Sequence, residues 1–310
     1  MRTRMRHGMA AVAVGAVALL AAGCASAHGA EIAASAEPGD VVEGIELPER
    51  DLAAWRLPLP SLFPGVEGGL GNHAENVLVA ACLEGAGLDW PIPEEDVAEI
   101  DASTHGRAPL TQEWADAHGY HTAGEVDVAG QEAHQLLNRI AGSTPGFETA
   151  FQDCLDGVRE QHDWSRIEVE ILNGILSPGL TFAAERAAED EEVAAAARTW
   201  SRCLAEAGFE RRTDDPTLMP TTADAEDWGL TGLKDVVPWP APTAAEIELA
   251  SADAACRATS GWNAERYDAE WTAQVAYIVE HADEIRAQRD RWSELRTEML
   301  AAVDGYTVEG

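Results

Sequence analysis

The stretch Glu191-Glu192-Val193-Ala194-Ala195-Ala196-Ala197-Arg198-Thr199-Trp200-Ser201-Arg202-Cys203-Leu204-Ala205-Glu206-Ala207-Gly208-Phe209 decides the fold class. Val193, Ala197, Trp200, Leu204 and Ala207 recur every three or four residues, the period of one helix face. Acids crowd its start, where the helix dipole favours them, and Gly208 can take the left-handed conformation that ends a helix. The same ending occurs earlier in the chain. Cys82-Leu83-Glu84-Gly85-Ala86-Gly87-Leu88-Asp89 echoes Cys203-Leu204-Ala205-Glu206-Ala207-Gly208-Phe209-Glu210, with Cys, Leu, Ala, Gly, an apolar residue and an acid in matching places.

Each copy is followed, 72 and 53 residues later, by a second cysteine in a helical pattern. In the first, Phe147, Phe151, Cys154, Leu155 and Val158 fall at helical spacing after Thr144-Pro145, read as a cap and first-turn proline. In the second, Thr243 to Glu246 fits a capping box, and Leu249, Ala252 and Cys256 share a face. Four cysteines allow three pairings, and the echo selects Cys82 with Cys154 and Cys203 with Cys256. Each bond closes a loop of more than fifty residues, worth about 4 kcal/mol in the chain-entropy estimate. A redox switch is the other reading of such a pair, but no cysteine has an evident thiolate-stabilising neighbour.

Period-two runs of β-branched and aromatic residues are scarce, which argues against a large sheet. The expected fold is mainly α: a disulfide-stabilised helical domain with long loops, pseudo-repeats over about 70–165 and 186–262, and one long C-terminal helix over about 264–303. Residues 91–110 and 210–242, rich in Asp, Pro, Gly and Thr, read as the long loops. The C-terminal stripe runs through Trp271, Val275, Ile278, Ala282, Ile285, Trp292, Met299 and Val303. It suits packing on the chain's own bundle better than a coiled-coil partner.

The N-terminus carries an export signal. Arg2, Arg4 and Arg6 precede an apolar run from Met9 to Ala22, which as a helix spans about 21 Å, short of the ~30 Å hydrocarbon core. Its end, Leu20-Ala21-Ala22-Gly23-Cys24, resembles a bacterial lipobox, with the Leu one place early. That resemblance implies a signal peptide over 1–23 and a Cys24 acylated on sulfur after cleavage. An ordinary signal peptide cut near Ala25-Ser26-Ala27 would discard Cys24. Two or more acyl chains anchor stably where one does not. Residues 24–65, acidic and punctuated by Pro48, Pro58, Pro60 and Pro64, read as a tether with a reach on the order of 35 Å. Trp55, Leu57, Leu59, Leu62 and Phe63 could dock on the extracytoplasmic domain expected over 66–310.

The 310 residues carry 21 basic and 55 acidic side chains, a formal charge of −34, with 46% hydrophobic residues. That composition supports a sizeable core, and the charge argues against nucleic acid as a partner. Removing residues 1–23 takes away three Arg and no acid, leaving 18 basic against 55 acidic side chains, or −37. Anionic lipid headgroups and wall polymers repel such a body, so the membrane is expected as a partner only through the lipid on Cys24. The acidity itself reads first as solubility and background composition.

No His-Glu-x-x-His, Gly-x-Ser-x-Gly, phosphate loop or dinucleotide fingerprint occurs, so no catalytic residue, cofactor or metal is expected. His118 and His121, with His105 and His134 farther off, supply too few convergent ligands for zinc and read as a polar loop or helix end. Glu189-Asp190-Glu191-Glu192 lacks a calcium-loop pattern and reads as a solvated helix start. Most of the ten Trp fall on helix faces or beside cysteines, as core residues rather than a ligand platform.

The lipobox, Trp200-x-x-Cys203-Leu204 ending at Gly208-Phe209, and Ala252-Asp253-x-x-Cys256-Arg257 together resemble a group of uncharacterised, cysteine-paired actinobacterial lipoproteins. The first copy departs from the pattern, with Val79 where the second has Trp200. The resemblance implies an envelope location and no established activity. The first expectation is a non-enzymatic, lipid-anchored component of an envelope assembly with an envelope protein as partner. The alternative is an extracytoplasmic binder of a small cationic or sugar-like ligand. A wall-modifying enzyme built from distant acids is a third. A deep cleft lined by Trp and acids would favour the binder, and a flat apolar patch the interaction protein.

Overall fold

The computed structural model describes residues 41–305 apart from 43, 94, 104–107, 123–127, 210–212 and 231–240. The signal peptide, Cys24, the tether up to residue 40 and His105 lie outside the described residues, as does the side chain of His134. The described chain is mainly helical. A two-residue antiparallel hairpin, β1 (Val41–Val42) and β2 (Ile45–Glu46), precedes helices α1 (Pro58–Ser61), α2 (Leu70–Gly85), α3 (Val97–Ala102), α4 (Gln112–His118), α5 (Val128–Ser143), α6 (Phe147–Gln161) and α7 (Trp164–Ile171). There follow α8 (Ser177–Glu189), α9 (Glu191–Glu206), α10 (Thr222–Asp227), α11 (Ala244–Ser260), α12 (Trp262–Glu280) and α13 (Ala282–Gly305). Between α7 and α8 the helical run widens into a π turn at Leu172–Leu176. Pro178, just beyond, has no N–H to give the preceding turn.

The echo seen in the sequence is a matched pair of helix ends. In α2, Gly87 N–H donates to the Glu84 carbonyl and Leu88 N–H to the Leu83 carbonyl. In α9, Gly208 donates to Ala205 and Phe209 to Leu204. Both glycines have positive φ, 78° and 96°, the left-handed turn that only glycine adopts freely. Each helix lies against its cysteine partner's helix: α2 on α6 through Cys82 and Cys154 (Cα–Cα 5.8 Å), α9 on α11 through Cys203 and Cys256 (5.6 Å). α11 starts in the capping box of Thr243 and Glu246. α6, in contrast, starts after Gly146 at φ 78°, not on a Thr144-Pro145 cap.

Three other expectations are revised. Residues 41–65, assigned to the tether, belong to the body: Val42, Ile45, Leu47, Trp55, Leu57, Leu59, Leu62 and Phe63 are buried in the main core with α7, α12 and α13. Ile45 and Leu47 alternate along an extended stretch and so share one side, whereas Trp55 enters from a turn and Leu59 from α1. Side chains from distant helices hold its backbone: Gln274 Oε1 accepts from Leu59 N–H at 3.0 Å, and Trp292 Nε1 donates to the Pro64 carbonyl at 2.9 Å. Gly179 on α8 lets this segment in, since a Cβ there would lie 2.3 Å from Leu59 Cδ2. Second, the long C-terminal helix is present as α13 but starts at Ala282 rather than near residue 264, because a break at His281, unmarked by Gly or Pro, separates it from α12. Its stripe packs inward, with Trp271, Val275, Ile278, Ile285, Trp292 and Met299 all in the main core. Third, the two long loops contain short helices, α3 in one and the turn Pro216–Leu218 and α10 in the other.

Candidate functional site

Two clefts lie beside the two cysteine-paired helix pairs. The first, about 1020 Å³, opens between α2, α3, α5 and α6. Its aromatic wall is Trp90, Phe147 and Phe151. Phe147 and Phe151 sit one turn apart on α6, stacked at 6.0 Å, and Trp90 stands edge-on to Phe151 at 5.2 Å. Four carboxyl groups, Glu95, Asp96, Glu99 and Glu148, line the same cleft with the amides of Asn72, Asn76 and Asn138. Among its described lining residues there is no Arg, Lys or His. Glu95 extends toward His73, whose Nδ1 lies 3.7 Å from its Oε1.

The second cleft, about 1010 Å³, lies between the segment around Trp55, the α4 end and the α11–α12 junction. α4 falls within the first pseudo-repeat by sequence but docks on α11, because Ala115, Ala250 and Ala254 are small enough for the helices to meet. That docking carries Tyr120 and His121 to the second helix pair. Gly119, at φ 62°, makes the turn; a Cβ there would lie 2.5 Å from Glu246 Oε1. Without one, Tyr120 N–H reaches Glu246 Oε1 at 3.0 Å, and His121 Nε2 lies 3.6 Å from the same oxygen.

Behind this cleft sits a buried ionic network. Asp253, fully buried, accepts from Trp200 Nε1 at 2.8 Å, Tyr120 Oη at 3.1 Å and Arg257 Nε at 2.7 Å. Arg257 also donates to the Pro216 carbonyl at 2.6 Å. The first helix pair shows what stands at the matching places: Val79 for Trp200, Phe151 for Asp253, Leu155 for Arg257. The aromatic bulk has moved from α9 to the partner helix, so the first pair carries no charge at these three positions; its ion pair, Arg159 with Glu75, lies elsewhere on the two helices. This explains the departure at Val79: a disulfide-linked helix pair forms here without charge at the positions of Trp200, Asp253 and Arg257.

His118 lies against the Trp114 ring at 4.4 Å, and His121 is buried beside Glu246. No group of three or more metal-ligating side chains occurs among the described residues. Asp190 caps α9, accepting from Glu192 and Val193 N–H, as a helix start does. Of the Trp residues, Trp55, Trp164, Trp200, Trp262, Trp271 and Trp292 are core, with Trp55 and Trp262 also reaching the wall of the second cleft; the less buried Trp90 and Trp114 line the first and second clefts. Sequence reasoning missed Tyr267, whose hydroxyl accepts from Asp51 N–H at 3.0 Å and donates to the Arg56 carbonyl at 2.5 Å, closing the turn that bears Trp55. It also missed Asn263 and Arg266; the helical period at the start of α12 was the available signal.

No helix among the described residues is long and apolar enough to cross a membrane. Comparison with protein families, characterised proteins and solved structures finds no match to this chain.

Proposed function

We propose that this protein is exported, held at the outer face of the cell membrane by acyl chains on Cys24, and binds a small organic cation in the first cleft. The observation that carries the reading is the pairing of an aromatic wall with four carboxyl groups in one cleft, with no cationic side chain among its described lining residues. Aromatic faces attract a cation by about 0.5–2 kcal/mol each, and carboxylates add charge attraction and long-range steering within a strongly acidic body. The two cysteine pairs suit an oxidising compartment outside the cytoplasm. The reading as an interaction component needs a contiguous apolar face. Among the described residues the large exposed apolar side chains are Leu52, Leu136, Val169 and Leu218, each on a different element.

Calorimetric titration of the full-length protein with choline, and with its neutral isostere 3,3-dimethylbutanol, tests this. Choline is expected to bind in the micromolar to millimolar range, about −8 to −4 kcal/mol, with affinity falling as salt rises. Equal binding of the neutral isostere, or no heat from choline, would remove the cation reading.

A further inference from the structure

We infer that the second cleft is a separate site for a neutral saccharide. The inference does not depend on the cation reading, because it concerns different residues and a different ligand class. The cleft has an aromatic floor with paired guanidinium groups above it. Arg257 lies 5.0 Å and Arg266 5.2 Å from the Trp262 ring, and Arg266 lies 5.9 Å from Trp55. Both guanidiniums are matched by carboxylates that do not line the cleft: Arg257 by Asp253 and Arg266 by Glu270. Trp55 and Trp262 are buried beneath the guanidiniums, so the cleft presents the partly exposed Trp114 ring and planar N–H donors with little net charge.

Two features mark it as more than a packing defect. Trp55 has φ 50°, the only positive φ outside glycine among the described residues. The left-handed region costs a bulky L-residue about 1–2 kcal/mol and persists where surroundings enforce it. Here Glu270 Oε2 accepts from Trp55 Nε1 at 3.2 Å and Tyr267 closes the turn. Asn263 lines the same cleft, and its Oδ1 is buried without a hydrogen-bond partner, a cost of about 1–3 kcal/mol. Turning that amide to a ligand hydroxyl would recover the bond. The ionic network that the first helix pair does without holds Tyr120 and Arg257 in this wall. An ion pair so buried is often no more stable than an apolar replacement, so its presence is explained by what it positions.

Charge selects the ligand class. An anion would meet a body of −34 before reaching the arginines, and those are already neutralised. A cation finds no carboxylate among the described residues of the cleft wall. A neutral sugar suffers neither penalty: its C–H face can lie on the Trp114 ring while its hydroxyls meet the planar arginine and asparagine groups. The volume sits at the upper end of ordinary ligand sites, ~300–1,000 Å³.

The test uses full-length protein in a polyoxyethylene detergent, which carries no sugar headgroup, titrated with maltotriose, cellotriose and triacetylchitotriose and followed by tryptophan fluorescence and saturation-transfer NMR. At least one trisaccharide is expected to bind, with an affinity unchanged between low and high salt. Asn263→Leu and Trp114→Ala are each expected to weaken it about tenfold, Asn263→Asp to retain it, and Glu95→Gln with Glu148→Gln in the other cleft to leave it unchanged. The inference is overturned if none of the three binds at about 10 mM, if binding is lost with salt, or if the two-carboxylate variant abolishes it.

Discussion

Glu75 on α2 and Glu168 on α7 cap each other's helices. Glu168 accepts from Gly71 N–H at 2.8 Å and Asn72 N–H at 3.3 Å, at the start of α2. Glu75 accepts from Ser165 N–H at 2.8 Å and Ser165 Oγ at 2.7 Å, at the start of α7, and from Arg159 Nε at 3.0 Å. Each helix start leaves N–H groups unpaired, and each is satisfied by a carboxyl from the other helix rather than by its own cap residue. The exchange locks α2 to α7 beneath the main core and fixes the helix that carries Cys82.

The arrangement makes stability depend on pH. Burial pushes the Glu168 carboxyl up to about 7 from 4.5, against the two amide bonds that favour its ionised form, with Glu75 nearby adding to the rise. The folded state thus holds a proton that the unfolded state releases, so the stability due to this group is complete below about pH 4.5 and is lost as pH rises through about 7. Thermal unfolding from pH 4 to 8 should show a decline over that window, at most about 3 kcal/mol, and Glu168→Gln should flatten it. A wild-type profile that rises across the window would refute the assignment.

The matched positions of the two helix pairs predict strong non-additivity. Asp253→Phe alone leaves Arg257 buried without its carboxylate and should cost about 3–5 kcal/mol. Trp200→Val alone opens a cavity of similar cost. Combining both with Arg257→Leu copies the Val79, Phe151 and Leu155 arrangement of the first pair. The triple variant should recover to within about 2 kcal/mol of wild type in urea unfolding while losing saccharide binding. A triple variant as unstable as the summed singles would show that the two pairs are not interchangeable.

What the sequence made legible was local. The period of α9, the glycine ends after Cys82 and Cys203 and the Thr243 capping box are each written within one or two helical turns, and the structure carries all three. What it concealed depended on distant partners. The 41–65 segment looked like a tether because its prolines and acids are visible locally, whereas the Gln274, Tyr267 and Trp292 groups that hold it come from α12 and α13. The break at His281 leaves Ile278 and Ile285 in one core, and no local residue type announces it. The second cleft was hidden for the same reason: Trp55, Tyr120 and Trp262 reach it from three separate parts of the chain.

The proposed lipid anchor yields a chemical prediction. The mature N-terminal peptide should begin at Cys24 and carry the mass of its acyl chains, and Cys24→Ser should release the protein from the membrane fraction. An unmodified N-terminus beginning after Ala27 would instead establish an ordinary exported protein.

The most direct test of the binding account is a pair of choline isotherms, one for the wild-type protein and one for Glu95→Gln with Glu148→Gln, two carboxyl groups of the first cleft. Neither side chain contributes to a buried cluster, so the variant should fold as the wild type does by circular dichroism. The account predicts that the variant binds choline at least about tenfold more weakly, with a smaller salt dependence because only Asp96 and Glu99 remain. Identical isotherms for the two proteins would place the cation elsewhere and contradict it.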